Sequence, residues 1–344
     1  MPIVDHLFAD QFGTHIGKYS ERLKITRGKE VLQQAPLLHL KSVTIASMGV
    51  SISADAIAAC TERGIPIVML DAGGDVFATL YAAGLTGTVL TRREQILAYY
   101  DERGLMLAQA FAAAKITNQA RALRYWAGNR RDDHPEIAAA LEEAALEVQS
   151  LADAAADVIA APDVETARAG LMGIEGRAAA VYWTAAAQLI PPVYAWPGRT
   201  GRGAVDPINS LLNYGYGILY AEIERAIVLA GLDPYAGFLH ADRPGKPSLV
   251  LDLIEEFRQI AVDRVVIGLA ARGYQIEQDE FGQLTRETRR DFASKIIGQL
   301  EARVRYSGGS ERVPLRHAIQ MQARHIATFV RRERIPYIPF VMET

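Results

Sequence analysis

Cysteine is nearly missing from this 344-residue chain. The lone Cys60 excludes an internal disulfide and leaves no thiolate cluster for a structural zinc. Its setting, IAACTER, reads as an apolar helix face, so a buried, inert thiol is expected. Long apolar runs are missing too: none approaches the roughly 20 residues that cross a bilayer. The opening MPIVDHLFAD has neither the basic nor the apolar region of a secretory signal, and a cytoplasmic location is expected. There is no excess of basic charge. The net formal charge of −3 argues against a simple phosphate-binding surface. The turn DAGGD lacks the lysine and the GxxxxGK spacing of a phosphate loop, so that chemistry is set aside.

What is present is a globular composition, 50% hydrophobic and 22% charged, at a length that favours two domains. Charge is distributed unevenly. Glu136 to Glu165 is acid-rich, whereas the stretch from Arg286 onward carries Arg289, Arg290, Arg303, Arg305, Arg312, Arg316, Arg324, Arg331, Arg332 and Arg334. Arginines on helices more often form a solvated face than a binding patch, so they favour a DNA partner only weakly.

The first eighty or so residues read as strands and turns. Leu23 alternates with Ile25, and Val43 with Ile45, in the two-residue period of half-buried strands. SADAIAACTERG reads as a helix capped by Ser51 or Ser53 and closed by Gly64, followed by the strands IPIVML and VFATLYA. Residues 1–88 are therefore expected to form a small β-rich domain, a sheet pair or sandwich with one helix. From Thr91 the period becomes 3.6, predicting helices near 92–116, 117–129, 136–160, 164–189, 207–231, 247–273, 286–306 and 312–332. The fold class is α+β in two domains, with an all-α domain over 89–344 and a hinge near Gly84 to Thr91.

Three pieces of the helical part depart from a plain core pattern. In GIEGRAAAVYW, Glu175 shares a helical face with Ala179, Tyr182 and Ala186, so its charge needs a partner. Arg177, another arginine or a metal could supply it. Gly173 and Gly176 flank it, which suits close approach by a backbone or a phosphate. In PYAGFLHADRPGKPS, His240 ends an apolar run beside a loop carrying Arg243 and Lys246, residues that suit a phosphate. A hydrogen-bonded structural histidine is the commoner outcome there. In PSLVLDLIEEFR, Asp252, Glu255 and Glu256 crowd one turn among Leu251, Leu253, Ile254 and Phe257. Facing carboxylates repel, so they either point to solvent or are neutralised by a cation. One imidazole nitrogen with two or three carboxylate oxygens suits Mn²⁺ or Mg²⁺ and thereby phosphodiester chemistry.

At these motifs the chain closely resembles the CRISPR-associated integrase and endonuclease of spacer acquisition, the first-numbered Cas protein family. LKSVTIASMGVSISADAIAACTERGIPIVMLD, GIEGRAAAVYW, DPINSLLNYGYGILYAEIERAI, GLDPYAGFLH and SLVLDLIEEFR carry the resemblance in the right order and spacing. The resemblance implies an N-terminal β-rich and a C-terminal helical domain. It implies metal ligation by Glu175, His240 and Glu255, with Asp252 supporting the site or holding a second ion. It also implies a homodimer, two of which are bridged by the small second-numbered Cas protein around a short DNA duplex. The implied reaction is transesterification, in which a 3′-hydroxyl attacks a phosphodiester at the edge of a CRISPR repeat; isolated members also cleave branched DNA. Arg243, Lys246 and Arg258 are candidate phosphate contacts. Asn213 and Tyr214 are candidates for lining the same cleft, unless the tyrosine is simply packed between helices. His15 and Tyr19 read as structural. Two rivals stand beside this reading: a repair nuclease for branched DNA without CRISPR involvement, and a non-catalytic DNA-binding scaffold.

Overall fold

The two-residue periodicity of the N-terminal part produces strands. In the computed structural model, which describes residues 5–71, 74, 76–80, 88–156, 161, 163–201, 203–306, 312–334 and 336–343, these are β1 (His6–Ala9), β2 (His15–Tyr19), β3 (Arg22–Arg27), β4 (Glu30–Pro36), β5 (Ser42–Ile45) and β6 (Ser51–Ile52), then helix α1 (Ala54–Glu62), β7 (Ile67–Leu70) and β8 (Val76–Leu80). They form two four-stranded sheets, ordered β4-β3-β2-β6 and β1-β5-β7-β8. Leu7, Ile16, Leu23, Ile25, Val43 and Ile67 fill the space between the sheets together with α1. Ser53, one of the two expected caps, accepts from the Ala56 N–H at 3.2 Å. Cys60 is buried, and burial pushes its thiol up to about 11, which keeps it protonated and inert.

The 3.6-residue period then builds α2 (Thr88–Ala98), α3 (Glu102–Arg130), α4 (Pro135–Ala156), α5 (Val164–Ala187), α6 (Pro207–Leu229), α7 (Ser248–Ile254), α8 (Arg264–Ala271) and α9 (Arg286–Glu301). After α9 come β9 (Arg303–Arg305), β10 (Arg312–Pro314) and α10 (Leu315–Val330). Three expectations change. The break in the first long helical stretch falls at Tyr99–Asp101 rather than after residue 116, because Asp101 caps α3 by accepting from the Arg103 N–H. The helix expected over 247–273 is interrupted after α7 and passes through a π turn, Gln259–Asp263, before α8. The C-terminal region is not all-α, since β9 and β10 pair as an antiparallel hairpin. Of the expected hinge, Gly84 to Thr91, residues 84–87 lie outside the described residues and 88–91 already belong to α2.

The strand-rich part is not free-standing. Val68, Leu70 and Ala46 on the outer face of the β1-β5-β7-β8 sheet pack against Ala221 and Ile218 of α6. Val43 and Ile45 therefore sit in a strand covered on both faces, not half-buried as their alternation implied. Gly217 makes the approach of α6 close: a Cβ there would stand 1.7 Å from the Gly74 carbonyl oxygen. Polar groups brace the same junction. His6 Nδ1 lies 2.7 Å from Ser42 Oγ, and Glu301 joins His6, Lys41 and Arg316.

Gly217→Ala should lower stability by about 2 kcal/mol or more in a denaturant titration, because backbone rather than a flexible side chain must yield. Burial, then the charge of Arg316, hold the His6 imidazole down at about 4. The unfolded chain then binds the extra proton first, so stability is complete above about pH 6.5 and falls as the pH drops toward 4, by on the order of 3 kcal/mol at most. Melting curves across this range should show the slope, and His6→Gln should flatten it.

Candidate functional site

Helices α3 and α5 pack side by side, and the end of α7 lies against α3. This brings one residue from each to a common point. Lys115 of α3 places Nζ 2.5 Å from Glu175 Oε1 of α5 and 2.8 Å from Glu255 Oε2, the residue that ends α7. Arg258, one turn further, lies 3.3 Å from Glu255 Oε1. All four side chains are largely removed from water, Glu255 being 2% exposed. Burial alone would raise the Glu255 carboxyl, but the charges of Arg258, Lys115 and His240 outweigh it and bring the group down to about 2. The partner of Glu175 is thus a lysine sixty residues upstream, not Arg177.

His240 is held by a different device. Gly237 lets the loop before it lie against the start of α7, since a Cβ there would come within 2.6 Å of the Ser248 backbone. Asp252 of α7 then accepts from the N–H groups of Phe238, Leu239 and His240 at 2.6, 3.1 and 2.8 Å, and its Oδ1 lies 2.8 Å from His240 Nδ1. These four contacts tie the Asp252 carboxylate to the His240 loop and to the His240 ring. The imidazole is left with Nε2. Burial works against its charged form, but the Asp252 hydrogen bond and the charges of Asp252, Glu255 and Glu175 raise its pKa.

Glu256 completes the crowded turn and faces away from the others. Its oxygens accept from the Tyr337 hydroxyl and the Phe340 N–H, both at 2.6 Å. Among the described residues no cation accompanies it, and burial pushes it up to about 8, which favours its protonated form at neutral pH. The three carboxylates of this turn thus point neither to solvent nor to one cation; each has its own form of compensation.

The remaining candidates separate. A cavity of about 560 Å³ is lined by Asn213, Tyr216, Lys246, Ile254, Arg258 and Phe281, among others. Arg258 connects it to Glu255, whereas Glu175, His240 and Glu255 do not line it. Arg199 donates to Asn213 Oδ1 at 2.8 Å and stacks over Tyr216, whose hydroxyl donates to Asp263 together with that of Tyr182. Tyr214 does not share this cavity: it is buried against Phe292, and its hydroxyl has no hydrogen bond among the described residues. Tyr216, two residues on, occupies the place expected for it. Arg243 and Lys246 are exposed on one turn, where the Lys246 N–H donates to the Arg243 carbonyl at 3.0 Å. Above Gly173 and Gly176 the space is open among the described residues, so of the two expected approaches, by a backbone or by a phosphate, the one by a backbone is not made by them. Of the C-terminal arginines, Arg305 and Arg312 pair with Glu343, Arg316 with Glu222 and Glu301, Arg331 with Glu333, and Arg332 with Asp101 and Glu102.

By donor type the residues fit a hard divalent cation: two carboxylates and one oriented imidazole. Among the described residues Glu175 Oε2 is buried without a hydrogen bond, and Glu255 Oε2 faces only the Lys115 ammonium, so both are oxygens that a cation could use. As they stand, no three His, Cys, Asp or Glu side chains among the described residues are gathered closely enough to bind an ion. The ammonium of Lys115 stands where the carboxylates meet.

Comparison with known proteins decides the lineage. The family model described as CRISPR associated protein Cas1 matches residues 7–297. This chain belongs to the Cas1 family. It is 37% identical over 340 residues to a CRISPR-associated endonuclease Cas1 of Archaeoglobus fulgidus, covering 95% of this chain and 97% of the relative. Among solved structures it is similar to a casposase bound to integration product, with a TM-score of 0.77 and 22% identity over 97% of this chain and 92% of that one. It is also similar to a chain of a Cas6-RT-Cas1–Cas2 complex, with a TM-score of 0.75 and 21% identity over 98% of this chain and 36% of that one. At these identities the two structures speak to the Cas1 fold alone. The two sheets followed by helices agree with it.

Within this Cas1 chain, Asp252→Asn should be costly, because an amide nitrogen would face backbone N–H donors. We expect a loss of about 3 kcal/mol or more in denaturant unfolding. An unchanged midpoint would show that the loop does not depend on this carboxylate.

Proposed function

We propose that this chain is a divalent-cation-dependent DNA endonuclease and integrase of CRISPR adaptation, inserting short DNA fragments into the repeat array by transesterification. The observation that carries the reading is the convergence of buried Glu175 and Glu255 on one positive charge, with the oriented His240 close enough to feel both, in a member of the Cas1 family. Mg²⁺ or Mn²⁺ bound by Glu175, His240 and Glu255 would polarise a phosphoryl oxygen and lower the pKa of an attacking hydroxyl.

The chain's own residues do the positioning. Asp252 engages Nδ1 of His240, which leaves Nε2 as the ligating nitrogen. Arg258 ties Glu255 to the adjoining cavity and, with Lys246 and Arg243 on the exposed turn, would pair with backbone phosphates. Asn213, oriented by Arg199, contributes a polar group to the same wall.

The expected partners are duplex fragments with 3′-hydroxyl ends, the CRISPR repeat, a second copy of the chain, and Cas2 bridging two dimers. The endonuclease name of the relative at 37% identity supports the activity, and the neighbours' integration product and Cas2 complex support the partners. A cytoplasmic site of action agrees with this reading; no helix is long and apolar enough to cross a membrane among the described residues.

Purified protein with Cas2 and Mn²⁺ should join a short duplex to a repeat-containing plasmid. Glu175→Ala and Glu255→Ala should each reduce joining and cleavage by at least about a hundredfold while the circular-dichroism spectrum stays native. Undiminished activity in either variant rejects the assignment. Cleavage of branched DNA without any insertion would favour a repair nuclease.

A further inference from the structure

The mechanism above leaves Lys115 without a task, although it is the most tightly enclosed cation of the site. Its side chain is 10% exposed, and its ammonium touches both Glu175 and Glu255. Two carboxylates facing each other in a dry interior repel strongly, and a buried charge without a partner is strongly destabilising. A positive charge between α5 and the end of α7 relieves that repulsion before any metal arrives. The Lys115 ammonium fills that place, 2.5 Å from Glu175 Oε1 and 2.8 Å from Glu255 Oε2.

We propose that Lys115 is a built-in counter-cation that holds Glu175 and Glu255 together in the metal-free protein and is displaced when a divalent cation binds, so that it sets the affinity of the site. This rests on the metal-dependent reading given above. The geometry supports competition rather than assistance. An ammonium has three donors and no lone pair, so Lys115 cannot ligate a metal while charged. It occupies Glu175 Oε1 directly and lies 2.8 Å from Glu255 Oε2, one of the oxygens a metal would use. An ion using Glu255 Oε2 therefore competes with the ammonium for that oxygen, and one held by Glu175 Oε2 as well would stand against the ammonium's charge. A lysine serving only to stabilise the fold would have no reason to weaken binding of an ion.

The test compares the full-length protein with Lys115→Met and Lys115→Arg, using Mn²⁺ alone as the probe. Binding is followed by electron paramagnetic resonance or calorimetry, and melting is followed in EDTA and in Mn²⁺. Lys115→Met should melt lower than the parent in EDTA, regain more stability on adding Mn²⁺, and bind Mn²⁺ about tenfold more tightly. Lys115→Arg keeps the charge and should bind no more tightly than the parent. A Lys115→Met protein that folds only with Mn²⁺ also supports the proposal, since the ion then replaces the ammonium. Equal or weaker Mn²⁺ binding by folded Lys115→Met overturns it, as does a variant unfolded with and without Mn²⁺. Failure of the parent to bind Mn²⁺ would instead overturn the metal-dependent reading itself.

Discussion

Three carboxylates on a single helical turn cannot be buried together unless each is compensated, and this constraint organises the centre of the molecule. Asp252 is answered by three backbone N–H groups and an imidazole, Glu255 by two cations, and Glu256 by protonation with two hydrogen bonds. Each answer fixes a different part of the chain. The first sets the loop that carries His240, the second joins α3 to α5 and α7, and the third anchors the C-terminal segment around Phe340. The chain departs from regular α-helix here, where these demands meet. The π turn at Gln259–Asp263 follows directly and presents Asp263 to the hydroxyls of Tyr182 and Tyr216. π turns of this kind are often found at functional sites.

Helix α6 is the wall shared by the two halves. Ile218 and Ala221 meet the β1-β5-β7-β8 sheet, while Asn213 and Tyr216 face the cavity beside Arg258. The contact at Gly217 holds the sheet to this helix, and the ionic cluster of His6, Glu301 and Arg316 reaches it through the pair of Arg316 with Glu222 of α6. Five of the C-terminal arginines, Arg305, Arg312, Arg316, Arg331 and Arg332, are engaged in intramolecular ion pairs, while Arg305 and Arg312 also line a surface pocket with Arg121 and Arg124.

Periodicity was a good guide wherever one face of an element was buried and the other wet. Leu23 and Ile25 are buried in β3 as their alternation required, α5 and α6 run over nearly the expected residues, and Cys60 lies on the packed side of α1. It misled where burial was on both faces or where local hydrogen bonds cut across the pattern. The strand β5 is covered twice, Asp101 caps a helix inside an apparently continuous stretch, and the hairpin β9–β10 is too short to leave a period.

The site divides along the same line. By itself the sequence determined which side chains demand compensation: Glu175, His240, Asp252 and Glu255 stand out because charged or ionisable groups lie within apolar stretches, and such groups must find partners. Only the tertiary structure decided what those partners are. Lys115 looks like an ordinary lysine in FAAAKITNQ, with no local oddity to mark it. Its role arises because the packing of α3 on α5 and α7 brings it to two carboxylates distant in sequence. The electrostatic cost of burying like charges favours a cation at their meeting point, while the identity of that cation depends on which helices touch.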